Sequence, residues 1–358
     1  MLRCRELFLA SMMMAILLSG KVLHRYVDFC PRFIGYKFPS GYKYAVLIPG
    51  STSWNKSVKY IHQDGMMKNT FESMYRLNDS PNSFYGMYND EKPDELLLTS
   101  RYWWGHMKGA LGFELGKGGF WLIHSIPKLS EETGTYKYPR TGRVYGQHFF
   151  CVSLPDAYVA QIVTQLTIAR PLFQDTYLAP KLAELYPNLS LLLNNSLVRS
   201  TPHSVVNLSS AHGSLKMKHF SKSHAYGYDL YSDLVAFDLM LDLEVESWRH
   251  GDNLPSLCAP NKPSIFNVLF LNFQDVKVNF SSYNDHSKWA ITLPYGKLSQ
   301  SDHMWVCLGD INRQYSQFSR GGGTMCVQNN GIWSAFRSLI FEVEPCPISW
   351  PPYGPRIV

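Results

Sequence analysis

The chain has 358 residues, 34 Lys and Arg against 28 Asp and Glu, a formal charge of +6 and 45% hydrophobic residues. After residue 20 no stretch is long and apolar enough for a membrane helix, and no CxxC pair supports a zinc ribbon. With 12 histidines, acidification would add up to roughly ten positive charges, which suits an anionic partner in an acidic compartment.

Residues 1–20 read as a secretory signal. Arg3 and Arg5 open it, Leu7 to Leu18 is apolar but too short to span a bilayer, and Ser19 and Gly20 are small. Cleavage is expected between Ser19 and Phe29. Removing Arg3, Arg5 and Glu6 takes +6 to +5. The mature chain is then expected to be soluble, with no membrane insertion. Six cysteines remain beyond Cys4: Cys30, Cys151, Cys258, Cys307, Cys326 and Cys346. In an exported chain an even set implies disulfides, here with fifteen possible pairings. Six Asn-x-Ser/Thr sequons, at Asn55, Asn78, Asn188, Asn194, Asn207 and Asn279, imply surface glycans.

In chain order, Tyr44–Ile48, Gly119–Ile126, His148–Val152, Ile265–Leu271 and Trp305–Ile311 read as strands bounded by Gly, Pro or Asn. Asp156–Ile168 has helical spacing with Asp156 as its cap, and a second helix is expected over Asn330–Leu339. The mixture predicts an α+β or α/β fold. Residues 30–188 form one half and 229–358 the other. Between them 189–228 is rich in Ser, Asn, His and Lys and reads as a connection. Its His212, Lys216, Lys218, His219, Lys222 and His224 form a basic cluster that either contacts a polyanion or is simply solvated.

The two halves share a triplet. His106-x-Lys108 and His286-x-Lys288 lie 180 residues apart, and each is followed by an apolar run, a turn and an apolar strand carrying Trp121 or Trp305. We read this as a diverged internal duplication. Residues two apart on a strand share a face, so each triplet projects an imidazole beside an ammonium. Related halves packed face to face would bring both pairs to one seam, a pocket suited to phosphate. One histidine would attack phosphorus, the other would protonate the leaving oxygen, and the lysines would hold charge a metal otherwise carries. No carboxylate cluster with metal-ligand spacing accompanies the triplets, so a metal-free mechanism without cofactor is preferred. Raising pH past ~6.5 empties the acid form, predicting an acid optimum. Tyr102, Trp103 and Trp104, just before the first triplet, either stack on bases or support the strand from within.

The blocks "GHMKGALGF…GGFWLIHSIP", "YKFPSG", "GQHFFCVSL", "DHSKWAI" and "GDINRQYSQFSRGGGTMC" resemble the deoxyribonuclease II family, which includes plancitoxin-like toxins, across the whole mature chain. The resemblance implies a phospholipase D-like fold of two related halves packed as a pseudo-twofold around central β-sheets. It implies metal-independent hydrolysis of double-stranded DNA at acid pH, leaving 3′-phosphate ends, in lysosomes or after secretion. DNA would be held non-specifically through its backbone phosphates. Residue by residue it assigns catalysis to His106, Lys108, His286 and Lys288, with His286 a principal catalytic residue. It gives His124 a place near the seam and Asn312 a phosphate-orienting part. It pairs Cys30 with Cys151, Cys258 with Cys346, and Cys307 with Cys326. The last loop holds Arg320 and three glycines, readable as a phosphate clamp or as a plain stapled turn. Met107 and Glu114 depart from the family pattern; the Met107 side chain is expected to point away from the site. The alternative is a catalytically inactive, nuclease-like secreted protein that binds nucleic acid or a protein partner.

Overall fold

The computed structural model describes residues 30, 33–48, 50–91, 104–129, 134–197, 201–258, 260–293 and 303–347. The signal expected over 1–20, and Tyr102 and Trp103, lie outside the described residues. The first half supplies β1 (Phe33–Lys37), β2 (Tyr44–Leu47), β3 (Asn55–Lys56), β4 (Ser83–Asn89), β5 (Gly109–Glu114), β6 (Gly118–His124), β7 (Gln147–Leu154) and β8 (Leu172–Leu178). They form one sheet in the order β3-β2-β1-β7-β6-β5-β4-β8. The second half supplies β9 (His203–Ser209), β10 (Lys216–Lys222), β11 (Asp242–Glu246), β12 (Ile265–Phe273), β13 (Val278–Ser281), β14 (Trp289–Leu293), β15 (Trp305–Gly309), β16 (Gly322–Gln328) and β17 (Ile340–Val343). Their sheet runs β13-β12-β11-β14-β15-β16-β10-β9, with β17 beside β12.

The fold is α+β and the two sheets share a plan. The path β4-β5-β6-β7-β1-β2 in the first matches β11-β14-β15-β16-β10-β9 in the second, every one of these neighbours antiparallel. The plan breaks at one edge: β4 pairs antiparallel with β8, whereas β11 pairs parallel with β12. Strands β1, β4, β6 and β7 are buried along their whole length. Of these, β6 and β7 read as apolar strands in the sequence because both faces of the sheet are covered there. One core cluster joins Ile34, Trp121 and Phe150 of the first half to Trp289, Val306 and Met325 of the second. The halves therefore share one interior, and no solvent layer separates the sheets.

The stretch 189–228 is more than a connection. It contains β9 and β10, which extend the second sheet beyond β16 as β2 and β1 extend the first beyond β7. The second half thus begins near His203, not at residue 229. The polar reading arose because β9 is an edge strand with a partly solvated face. The basic cluster is dispersed by the same strands. His219 and Lys222 point inward, and Lys222 donates to the carbonyls of Gln317, Phe318 and Arg320 at 2.9, 3.1 and 2.7 Å. Lys218 pairs with Asp238 at 2.6 Å.

The expected helix over Asp156–Ile168 is a short 3-10 turn, Asp156–Tyr158, leading into an α-helix, Val159–Ala169. Asp156 does not cap it. Its carboxylate instead accepts the Gly116 N–H at 2.7 Å, tying the helix start to the β5–β6 turn. The second expected helix covers Asn330–Arg337, with the Asn329 side chain capping Ile332 N–H at 2.9 Å. Disulfides join Cys30–Cys151, Cys258–Cys346 and Cys307–Cys326. The asparagines of all six sequons are exposed, the condition an attached glycan needs.

Candidate active site

Each triplet lies in the extended segment that enters an equivalent strand, β5 or β14. The Lys108 carbonyl accepts the His124 N–H at 3.1 Å and the Lys288 carbonyl accepts the Gly309 N–H at 3.0 Å, so both triplets continue their ladders. Met107 packs into the core, 1% exposed, which turns its flanking His and Lys the other way.

The two halves hold each other's histidines. His106 N–H donates to the Gly321 carbonyl at 2.8 Å, and His106 Nδ1 lies 2.6 Å from the Asp310 carbonyl. In the other direction, His286 N–H donates to the Gly146 carbonyl at 2.9 Å, and His286 Nδ1 lies 2.9 Å from the Ser125 carbonyl. Gly321 and Gly146 precede β16 and β7; Asp310 and Ser125 follow β15 and β6. A carbonyl can only accept, so each Nδ1 carries the proton and each Nε2 is the working nitrogen. The seam fits tightly around these bonds. A Cβ on Gly105 or Gly321 would come within 2.1 or 2.2 Å of the Ala169 carbonyl oxygen.

Cations converge from both halves. Lys108 Nζ meets Asp90 at 2.6 Å, and the same carboxylate lies 3.5 Å from His106 Nε2 and 3.9 Å from Arg320 Nη2. Lys288 Nζ donates to the His286 carbonyl. Burial first, then the Lys108, Arg320 and Lys288 charges, hold His106 well below the ordinary imidazole value. His286 is lowered by burial and by Lys288, Lys108 and His106, although its ring keeps some solvent access and burial therefore weighs on it less. Burial and Lys108 likewise push Lys288 far down. Each imidazole feels both lysines, so the four groups occupy one electrostatic neighbourhood.

Below the triplets lies a polar layer. His124 Nδ1 accepts from Ile126 N–H and His148 Nδ1 accepts from Lys288 N–H, both at 3.2 Å. Both rings are therefore neutral with a proton on Nε2, and neither Nε2 has a hydrogen-bond partner among the described residues. Burial lowers His124 to about 3 and takes His148 well below its ordinary value. Gln147 Oε1 accepts from Ser125 Oγ at 2.7 Å and stands 3.2 Å from His286 Nδ1. Asp310 accepts Lys108 N–H at 3.0 Å, and burial, opposed by Lys108, raises its carboxyl to about 8. Asp285 accepts from Ser287 N–H and from the Tyr36 and Ser287 hydroxyls, which explains the Asp-His-Ser-Lys run. Burial and the neighbouring Asp285 raise Glu246 as well.

Of the expected supporting residues, Arg320 is buried beside Asp90 and donates to the Trp104 carbonyl at 3.2 Å. Asn312 is buried, its Nδ2 on Gln314 at 3.3 Å and its Oδ1 without a hydrogen-bond partner among the described residues. The three glycines after Arg320 do not form a phosphate loop: Gly322 and Gly323 pair with Lys222 and Ser221 in the β10–β16 ladder. Trp104 stands 5.1 Å from Arg170 in a cation–π contact. Asp90, Gln147, His148, Asp310 and Glu246 are site residues that sequence reasoning missed. His148 carried a faint signal, a polar pair with Gln147 inside an apolar strand. Asp90 carried none.

A family model, "Deoxyribonuclease II", matches residues 25–346. Mouse deoxyribonuclease-2-alpha is 34% identical over 314 residues, 86% of each chain. Cell death-related nuclease 6 of Caenorhabditis elegans is 33% identical, covering 88% of this chain and 86% of its own. Plancitoxin-1 of Acanthaster planci is 34% identical over 77% of this chain and 75% of its own. Among solved structures, yeast tyrosyl-DNA phosphodiesterase gives a TM-score of 0.32 at 9% identity, over 63% of this chain and 66% of that one, a distant likeness.

Proposed function

This chain belongs to the deoxyribonuclease II family and is a nuclease, and we propose that it hydrolyses double-stranded DNA without a divalent metal through a histidine nucleophile, His286. The observation that carries this is the crossed pinning of each Nδ1–H to a carbonyl of the opposite half. It leaves two Nε2 atoms aimed at one seam, one beside Asp90 and the other, on His286, with no ion pair to a carboxylate among the described residues.

His286 Nε2 attacks phosphorus and forms the N–P bond. The 5′ oxygen leaves, taking the Nε2 proton of His106, whose imidazolium Asp90 favours. Water, its proton taken by His106, then cleaves the N–P bond and frees a 3′-phosphate. Lys108, Lys288 and Arg320 supply the positive charge over the non-bridging oxygens. Burial and lysines depress both imidazoles, so His106 is protonated only in acid, aided by the arriving phosphate. Activity therefore falls as pH rises. Exposed sequons and three disulfides support a secreted or lysosomal location. Among the described residues no helix is long and apolar enough to cross a membrane. DNA is held by backbone phosphates without base sequence preference.

Plasmid nicking at about pH 5 with chelator present tests the reading. Cleavage lost in both His286→Ala and His106→Ala, with 3′-phosphate ends in the native reaction, is the expected result. DNA retained but never cut would leave only a binding protein.

A further inference from the structure

Four rings stand together beside His286 and outside the hydrophobic core. Trp248 meets His286 edge-on at 5.0 Å and stacks on His250 at 4.2 Å with 26° between planes. Tyr145, from the first half, closes on Trp248 at 4.5 Å, and Tyr283 on His250 at 5.3 Å. None of the four packs into a core cluster, and Tyr283 is 56% exposed. A folded chain does not gain from holding aromatic rings out of its core, so the group needs another reason.

The ladder is also held rigid. Gln314 Nε2 donates to the Trp248 and His250 carbonyls at 3.1 and 2.7 Å, and His250 Nε2 donates to the Tyr283 carbonyl at 2.7 Å. Arg249, between the two stacked rings in sequence, turns away to Glu344 at 3.2 Å. The patch thus presents ring faces and edges, with the Arg249 guanidinium turned away from it. A preorganised aromatic surface next to a phosphorus-attacking nitrogen fits a flat, uncharged group one sugar away.

We propose that Tyr145, Trp248, His250 and Tyr283 form a stacking subsite for the nucleobase whose sugar keeps the phosphate on its 3′ oxygen. The inference rests on the nuclease reading above. In-line attack sets the leaving 5′ nucleoside on the His106 side and leaves the 3′ oxygen in the plane across the attack axis, so the retained nucleoside is the one free to turn toward the rings beside His286. The base would be swung out of its stack, and ring faces accept any base.

The test is competition against plasmid nicking at about pH 5 by thymidine 3′-phosphate and by 1,2-dideoxyribose 3-phosphate, which lacks the base. Stacking predicts that the nucleotide inhibits the native chain roughly 5- to 150-fold better. Trp248→Ala should abolish that ratio while Trp248→Phe keeps most of it. Tyr283→Ala, an exposed change that leaves the fold intact, should lower it. Equal inhibition by both compounds, inhibition by neither, or an unchanged ratio in Trp248→Ala and Tyr283→Ala overturns the subsite. A Trp248→Ala chain that loses rate but keeps the ratio shows that Trp248 only positions His286. A native chain that never nicks DNA defeats the nuclease reading instead.

Discussion

Gly105→Ala tests how closely the site depends on the seam. The new Cβ would sit 2.1 Å from the Ala169 carbonyl oxygen and 3.2 Å from that of Gly321. Ordinary contact requires about 1 Å more than the first distance allows. The obstacle is the C-terminus of the helix Val159–Ala169, whose Arg170 carbonyl also accepts Gly105 N–H at 2.7 Å, so no flexible side chain can yield. Either the helix end or the first triplet must retreat. Overpacking of this kind costs about 1–3 kcal/mol. In a chain of this size that lowers Tm by about 1–4 °C. His106 is the next residue, and displacing a reacting group by about 1 Å costs on the order of 10²-fold in rate. Thermal melting and kcat on plasmid DNA at about pH 5 read both effects. Gly116→Ala is the control: φ is +81° with nothing near its Cβ, so stability falls a little and rate does not. A Gly105→Ala chain with native Tm and kcat within about twofold would refute the claim that the seam sets the position of His106.

Three further outcomes follow from the same geometry. Asp90→Asn removes the carboxylate 3.5 Å from His106 Nε2, so the basic limb of the kcat/KM profile should move down by about one pH unit or more; an unmoved limb means that Asp90 does not set the acid. Glu246→Gln should raise Tm more at pH 8 than at pH 4.5. A carboxyl raised in the folded state binds extra protons there, so its contribution is lost as pH climbs from the unfolded value toward the folded one, and the amide escapes that loss; an equal change at both pH values would contradict the assignment. DNA affinity, measured by filter binding with the His286→Ala chain, should fall with a log–log salt slope of about −0.9 per phosphate contacted, and a flat response would exclude backbone recognition.

Much of the site was legible before folding. The doubled His-x-Lys and the apolar strands behind each copy pointed to two related halves and to the four groups at their seam. The strand runs Gly119–Ile126 and Trp305–Ile311 were readable because strands covered on both faces must be apolar throughout. The connection 189–228 was misread because β9 and β10 carry polar residues for local reasons. β9 lies at an edge, and Lys222 is inward only because three carbonyls from the turn at residues 317–320 receive it. Asp156 similarly had the composition of a cap but found Gly116 within reach instead.

The amino-acid order by itself determined the inventory: which side chains titrate, which runs must be buried, and that the pattern occurs twice. Tertiary structure alone decided the tautomers of His106 and His286, because the carbonyls that fix them belong to Asp310 and Ser125 in the opposite halves. It also brought Asp90 to His106 and Trp248 to His286, since electrostatic and stacking energies depend on distance through space, which order along the chain does not encode.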